Sequence, residues 1–238
     1  MLTKLHSVLV VAVETPPLVI YPDPIEQRIP AYRHYRNMAI PFDLETGLYQ
    51  NRGDIVIVGK LGEDEVRFDA SLDAGKTLWS PVRVIAELAR QELAAAGIET
   101  VLNSNVIRLP LTDIERAAGW QSWRQAISDW YELEQSTHDY ARFDACDAIL
   151  EIGIADYHVF ETQTVLHVLL KLIDPVSRQV IARAGADDFV IDANARHSLD
   201  NDSQAFKALI ATLGKRLLNQ ALTDMGWHSV VSLAVRKQ

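Results

Sequence analysis

Cys146-Asp147-Ala148-Ile149-Leu150-Glu151-Ile152-Gly153-Ile154, followed by the apolar-rich stretch 161–174 and by Val180-Ile181-Ala182-Arg183-Ala184, decides the fold. Each piece is rich in branched apolar residues, which favour a pleated, partly buried surface. Between the last two lies Asp174-Pro175-Val176-Ser177-Arg178. Proline there fixes φ, and the Asp and Ser side chains can bond to nearby backbone, so the stretch predicts a tight reversal and an antiparallel hairpin. Side chains alternate across a strand. Leu166, Val168, Leu170 and Leu172 therefore share one face, while Val165, His167, Leu169, Lys171 and Ile173 take the other. Glu151 and Arg183 fall on the corresponding mixed faces of the neighbouring strands. The expectation is a half-solvated sheet face with cross-strand charge pairs, each contributing about 0.2–1 kcal/mol. The alternative makes that face an oligomer or ligand surface.

Outward from this centre, residues 5–13 form a near-continuous apolar run, the pattern of a mid-sheet strand. Ser80-Pro81 opens the clearest helix, with serine as N-cap and proline at the first helical position. Val82, Ile85, Ala89, Leu93 and Ala96 recur at helical spacing up to Gly97, and 98–102 follows as a strand. Thr112-x-x-Glu115 and Ser122-x-x-Gln125 are capping-box patterns. The second is expected to start a helix with the stripe Trp123, Ile127, Trp130 and Tyr131. Asn201-x-x-Gln204 begins the last long helix, lined by Phe206, Leu209, Ile210, Leu213, Leu217, Ala221 and Met225 and ended by Gly226. Further strands are expected at 54–60, 65–68 and 230–235. Prolines 16, 17, 22, 24, 30 and 41 make the segment 15–41 irregular. The fold expectation is a single α/β domain over 1–238: one mixed β-sheet with a central antiparallel hairpin and amphipathic helices packed mainly on one face.

The run Asp147-Ala148-Ile149, the long strand from Val165 to Leu172, the Ile173-Asp174 turn and the return at Val180-Ile181-Ala182, taken with the helix–strand unit at 82–102, resemble the α/β sandwich of bacterial envelope proteins related to the TolB N-terminal domain. The lipoprotein relatives of the curli-secretion protein CsgG look similar. The resemblance covers about half the chain; the segment 15–41 and the Trp-rich helix at 120–134 stand outside it. It implies an envelope-associated, non-enzymatic accessory or assembly protein, often oligomeric, and carries over no functional residue.

Composition narrows the classes. Of 238 residues, 48% are hydrophobic and 23% charged, the balance of a globular protein. A net charge of −9, with Lys and Arg scattered among more carboxylates, argues against a nucleic-acid partner. No apolar run reaches membrane-spanning length, so direct membrane insertion is not expected. The single Cys146 excludes an internal disulfide and reads as a small buried hydrophobe.

The densest group of recognition-type side chains is Tyr32, Arg33, His34, Tyr35 and Arg36. Two guanidinium forks and two tyrosines can grip a carboxylate, an aromatic ring or an acidic patch; the plainer reading packs the tyrosines on the sheet and lets the arginines answer the protein's own charge. His138, Asp139, Asp144, Asp147, Asp156, His158 and Glu161 surround the ends of the 146–154 strand, but their spacing matches no zinc motif. Gly75-Lys76-Thr77 lacks the glycine pattern of a phosphate loop and reads as a turn. The Trp120, Trp123 and Trp130 stripe shares its helix with Asp129, Glu132 and Glu134, which suits packing on the sheet or a subunit better than a membrane interface. No catalytic residue, cofactor or metal is assigned.

The expected function is a non-catalytic cell-envelope accessory or assembly protein that binds a protein partner or self-associates as a homo-oligomer. Its expected place is the periplasm, or the membrane through a removed lipoprotein signal, with the cytoplasm as the alternative. The rival function is a hydrolase-type enzyme or a small-ligand or metal carrier using the 32–38 loop and the acidic and His region 138–161.

Overall fold

The computed structural model describes residues 5–21, 57–59, 79–118, 120–143, 145–160, 163–192 and 204–227. In chain order they form β1 (Ser7–Ala12), β2 (Leu18–Tyr21), β3 (Ile57–Gly59), α1 (Pro81–Ala95), β4 (Glu99–Leu102), α2 (Asp113–Ala118), α3 (Trp120–Glu132), β5 (Ala148–Phe160), β6 (Gln163–Ile173), β7 (Val180–Ile191) and α4 (Gln204–Asp224). All seven strands join one mixed sheet. The expected strand at 65–68, the strand at 230–235 and the loop at 32–36 lie outside the described residues.

β5 is the organising strand. Along one edge it pairs antiparallel with the whole of β6. The other edge is shared: β1 runs parallel beside Ala148 to Ile152, and β2 runs parallel beside His158 to Phe160. β4 lies parallel to β1 at one margin, β3 lies antiparallel to β2, and β7 lies antiparallel to β6 at the other margin. The hairpin forms at the expected turn. Asp174 Oδ1 accepts from the Val176 and Ser177 amides at 3.0 and 2.7 Å and from Ser177 Oγ at 2.9 Å. Both β5 and β7 run longer than their most apolar stretches suggest, because polar residues continue the ladder once a neighbour supplies it.

Two apolar layers cover the sheet. Val8, Val10, Ala12, Leu150, Ile152, Leu166, Val168 and Leu170 pack against α1 and α4 through Val82, Ile85, Ala89, Phe206, Ile210, Leu213 and Leu217. Leu9, Val11, Val13, Ile149, Leu169 and Ile173 pack against Trp123, Ile127 and Trp130 of α3 on the opposite face. The two longest helices thus share one face, and the Trp helix takes the other. That second layer corrects the expected half-solvated face: Glu151 and Lys171 are fully buried beneath it.

Local signals hold unevenly. Gly97 and Gly226 close α1 and α4 at φ 84° and 87°, the left-handed backbone that glycine adopts without strain. Thr112 and Glu115 form a complete capping box: the Glu115 amide donates to Thr112 Oγ1 at 3.2 Å and the Thr112 amide to Glu115 Oε2 at 2.8 Å. Ser80 takes the extended N-cap backbone, with no side-chain capping bond. Ser122-x-x-Gln125 is not a helix start. α3 begins at Trp120, and Gln125 Nε2 donates to Asp129 Oδ1 at 2.7 Å.

A bulge near Ala155 shifts the register between Ile154 and Asp156. Before it, even-numbered β5 residues face α1 and α4; beyond it, Tyr157 and Val159 do. An extra residue reverses the alternation, so Asp156 and His158 come to the α3 side.

Candidate functional site

The α3 side of the sheet carries two groups of ionisable residues. The first is a row across three strands, Glu151 opposite Lys171 and Lys171 opposite Arg183. Glu151 accepts from Trp130 Nε1 at 2.7 Å, Ser136 Oγ at 2.9 Å and Tyr140 OH at 2.6 Å, with Lys171 Nζ at 3.6 Å. Lys171 donates to the Trp130 carbonyl at 2.7 Å and sits 5.0 Å from that indole's ring centre. Arg183 Nε donates to the Tyr131 carbonyl at 2.7 Å, and its Nη2 donates to the Glu132 and Leu133 carbonyls at 3.1 and 2.7 Å.

These contacts fix the end of α3. The last carbonyls of a helix lack intrahelical partners and carry the negative end of its dipole, so two cations beneath them satisfy both needs. Burial and then the Glu151 charge push the Tyr140 hydroxyl far above its ordinary range, which keeps it a neutral donor. Burial lowers the Lys171 ammonium, partly opposed by Glu151. The charged groups of this row are thus engaged in anchoring the end of the helix.

The second group lies beyond the bulge. Asp156 stands opposite His167, and His167 opposite Asp187. His158 Nδ1 and Asp156 Oδ1 are 2.7 Å apart, with both side chains partly exposed. Phe189 and Ile191 continue this end of β7 and are 49% and 68% exposed. The row offers a polar strip of imidazoles and carboxylates bordered by exposed apolar side chains.

The remaining described acids and histidines of the 138–161 region do not converge. Asp147 Oδ2 accepts the His6 and Ser7 amides at 2.6 and 3.0 Å, tying β1 to the start of β5. Asp139 Oδ1 accepts the Ala141 amide at 2.9 Å, and the His138 ring lies 6.4 Å from that of Tyr140. From Asp147 to His158 the strand advances about 36 Å at 3.3 Å per residue, so the two ends cannot serve one site. Among the described residues, no group of three or more His, Cys, Asp or Glu is arranged to hold a metal ion. Asp144, Glu161, the Gly75-Lys76-Thr77 turn and Tyr32, Arg33, His34, Tyr35 and Arg36 lie outside the described residues. Cys146 is half-buried, a correction to full burial; desolvation, then the nearby Asp147 and Glu99, push its thiol up.

His167 and Asp187 escaped the sequence reading as site residues because their proximity to Asp156 depends on strand register. Tyr140 and Ser136 did so because a loop brings them to Glu151. Period-two alternation was the available signal, and it already grouped His167 with Lys171.

No family model matches the chain, and no curated protein matches it significantly. Several solved structures align with it. The PelC dodecamer from Paraburkholderia phytofirmans does so at 11% identity and a TM-score of 0.36, over 92% of this chain and 88% of that one. Lipoprotein GNA1162 from Neisseria meningitidis gives 11% identity and 0.32, over 87% and 93%. A Xanthomonas campestris protein of family DUF330 gives 9% identity and 0.36, over 98% and 89%. Likeness at these scores carries no inference about activity or partner. Among the described residues no helix is long and apolar enough to cross a membrane.

Proposed function

We propose that this protein is a non-catalytic accessory or assembly protein of a bacterial envelope, working by self-association or by holding a protein partner. The observation that carries the reading is the outer strand β7, whose Ile181, Phe189 and Ile191 are 42%, 49% and 68% exposed on a sheet margin. Exposed apolar side chains gathered on a strand margin favour contact with another protein. The buried charges support it from the other side, since Glu151 and Lys171 are engaged in fixing α3. The envelope location rests on the TolB-like and CsgG-like patterning of the sequence.

Crosslinking of intact native cells followed by fractionation tests this reading. Recovery in the envelope fraction within a crosslinked assembly is expected; recovery as a free cytosolic monomer overturns it. Tyr32, Arg33, His34, Tyr35 and Arg36 are proposed as a partner contact, so Arg33→Ala with Arg36→Ala should abolish the crosslink to that partner while leaving the melting temperature near wild type.

A second reading has one observation in its favour, the partly exposed Asp156–His158 pair beside His167. An imidazole oriented by a carboxylate is a group that can take a proton or bind a ligand. Elemental analysis of protein purified without chelator or affinity-tag metal tests the metal form of it; a stoichiometric metal lost in His158→Ala would support it over assembly.

A further inference from the structure

The margin of the sheet at β7 is divided. At its start the segment after α3 already occupies the outer edge: Gln135 bridges Gln179 antiparallel, the Val180 amide donates to the Glu134 carbonyl at 2.9 Å and the Ser136 amide to the Arg178 carbonyl at 2.8 Å. From Ala182 onward, β7 pairs only with β6 among the described residues, and Ile181 is the extra residue where the register shifts between Leu172 and Ile173. Gly185, near the middle of that stretch, is exposed, and exposure of a glycine is exposure of its backbone. Leu169 Cδ2 and His167 Nε2 would lie 2.9 and 3.2 Å from any Cβ placed on it. The position thus stays bare because side chains of β6 fold over it.

We propose that a second copy of this chain docks here, its β7 running antiparallel to the first about a two-fold axis through Gly185 and joining the two sheets into one. The inference rests on the assembly reading and names its surface. What points to a second copy is the sequence of the strand itself. A two-fold at Gly185 sets residue 183 opposite 187, 181 opposite 189, and 184 opposite 186. Arg183 then meets Asp187 of the other copy twice by symmetry. Ile181 meets Phe189, both exposed, and the centre is lined by Ala184, Gly185 and Ala186. Opposite charges and apolar pairs set directly across strands are the attractive combinations, and isologous pairing repeats each one.

Arg183 has capacity for the contact. Four of its five N–H groups are engaged, and one of those goes to Glu134, whose side chain is 84% exposed and can yield to a carboxylate. The strand carries no proline or lysine, the residues that commonly protect an edge from such pairing.

The test uses the full chain. Sedimentation velocity should show a dimer, and Asp187→Lys, which sets lysine against Arg183 twice, should weaken it about tenfold or more with circular dichroism unchanged. In a Cys146→Ser background, Ile181→Cys with Phe189→Cys should form a disulfide-linked dimer on mild oxidation, while Ile181→Cys alone should not; this arm decides the matter if the lysine variant fails to fold. An oligomer that ignores Asp187→Lys and gives no double-cysteine crosslink overturns the β7 assignment but leaves the assembly reading standing. A chain that is monomeric at every attainable concentration overturns the two-fold, and one that also forms no crosslink in intact cells overturns both.

Discussion

Trp130 occupies the place where Gly153 would carry a side chain: its Cζ3 and Cη2 atoms lie 2.6 and 2.7 Å from an ideal Cβ at that position. The indole can reach the sheet only because residue 153 has no side chain. From there its Nε1 reaches Glu151, two residues away on the same face. Gly153→Ala should therefore destabilise the fold by about 1–2 kcal/mol, since overpacking costs about 1–3 kcal/mol and replacing a strand glycine returns about 0.5–1 kcal/mol. Chemical denaturation measures it. Trp130→Phe in the same chain should recover part of the loss by shrinking the ring; additive losses would contradict the packing argument.

The Glu151–Lys171 pair predicts strong coupling. Removing one member leaves a buried charge without its partner, which typically costs about 3–5 kcal/mol, whereas removing both together costs far less. Lys171→Met should be severe because Glu151 keeps only neutral donors. Glu151→Gln should be milder, because Lys171 retains the Trp130 carbonyl. Glu151→Gln with Lys171→Met should lie closer to wild type than the sum of the two. A double-mutant cycle by urea unfolding reads the coupling directly, and additivity within about 0.5 kcal/mol would refute it.

This pair also shows where sequence reading stops. Alternation placed Glu151, Lys171 and His167 on one side of the sheet, and the Asp174–Arg178 reversal fixed the β6–β7 hairpin, both from local chemistry. Coverage of that side by α3 depends on where a helix far from Lys171 along the chain settles, and no local pattern states that. The bulge near Ala155 inserts one residue whose position the alternation does not give, and so hides the meeting of Asp156 with His167. The amphipathic stripes of α1 and α4 were legible because period and face coincide; the candidate rows were not, because they are products of register.

Cys146 should behave as a slow thiol. Burial raises its pKa first, and Asp147 and Glu99 add to the effect. The rate of alkylation by iodoacetamide should rise with pH with a midpoint above the ordinary thiol value of about 8.5. Glu99→Gln should lower that midpoint slightly by removing the smallest of the three contributions. A midpoint at or below the ordinary value would show that the thiol is more open than its surroundings indicate.

Asp147 links the first strand to the central one through a charge that pH can remove. The His6 and Ser7 amides hold its carboxyl below the usual carboxylate range. A carboxyl whose pKa is lower folded than unfolded stabilises the fold fully above its unfolded value of about 3.9. That contribution declines as pH falls and is gone below the folded value. Asp147→Asn keeps the shape but removes the charge. The difference in melting temperature between wild type and this variant should be largest near neutral pH and shrink steadily below about pH 5. A difference that stays constant, or grows in acid, would mean that Asp147 acts through packing and that its bonds to the β1 amides contribute no charge-dependent stability.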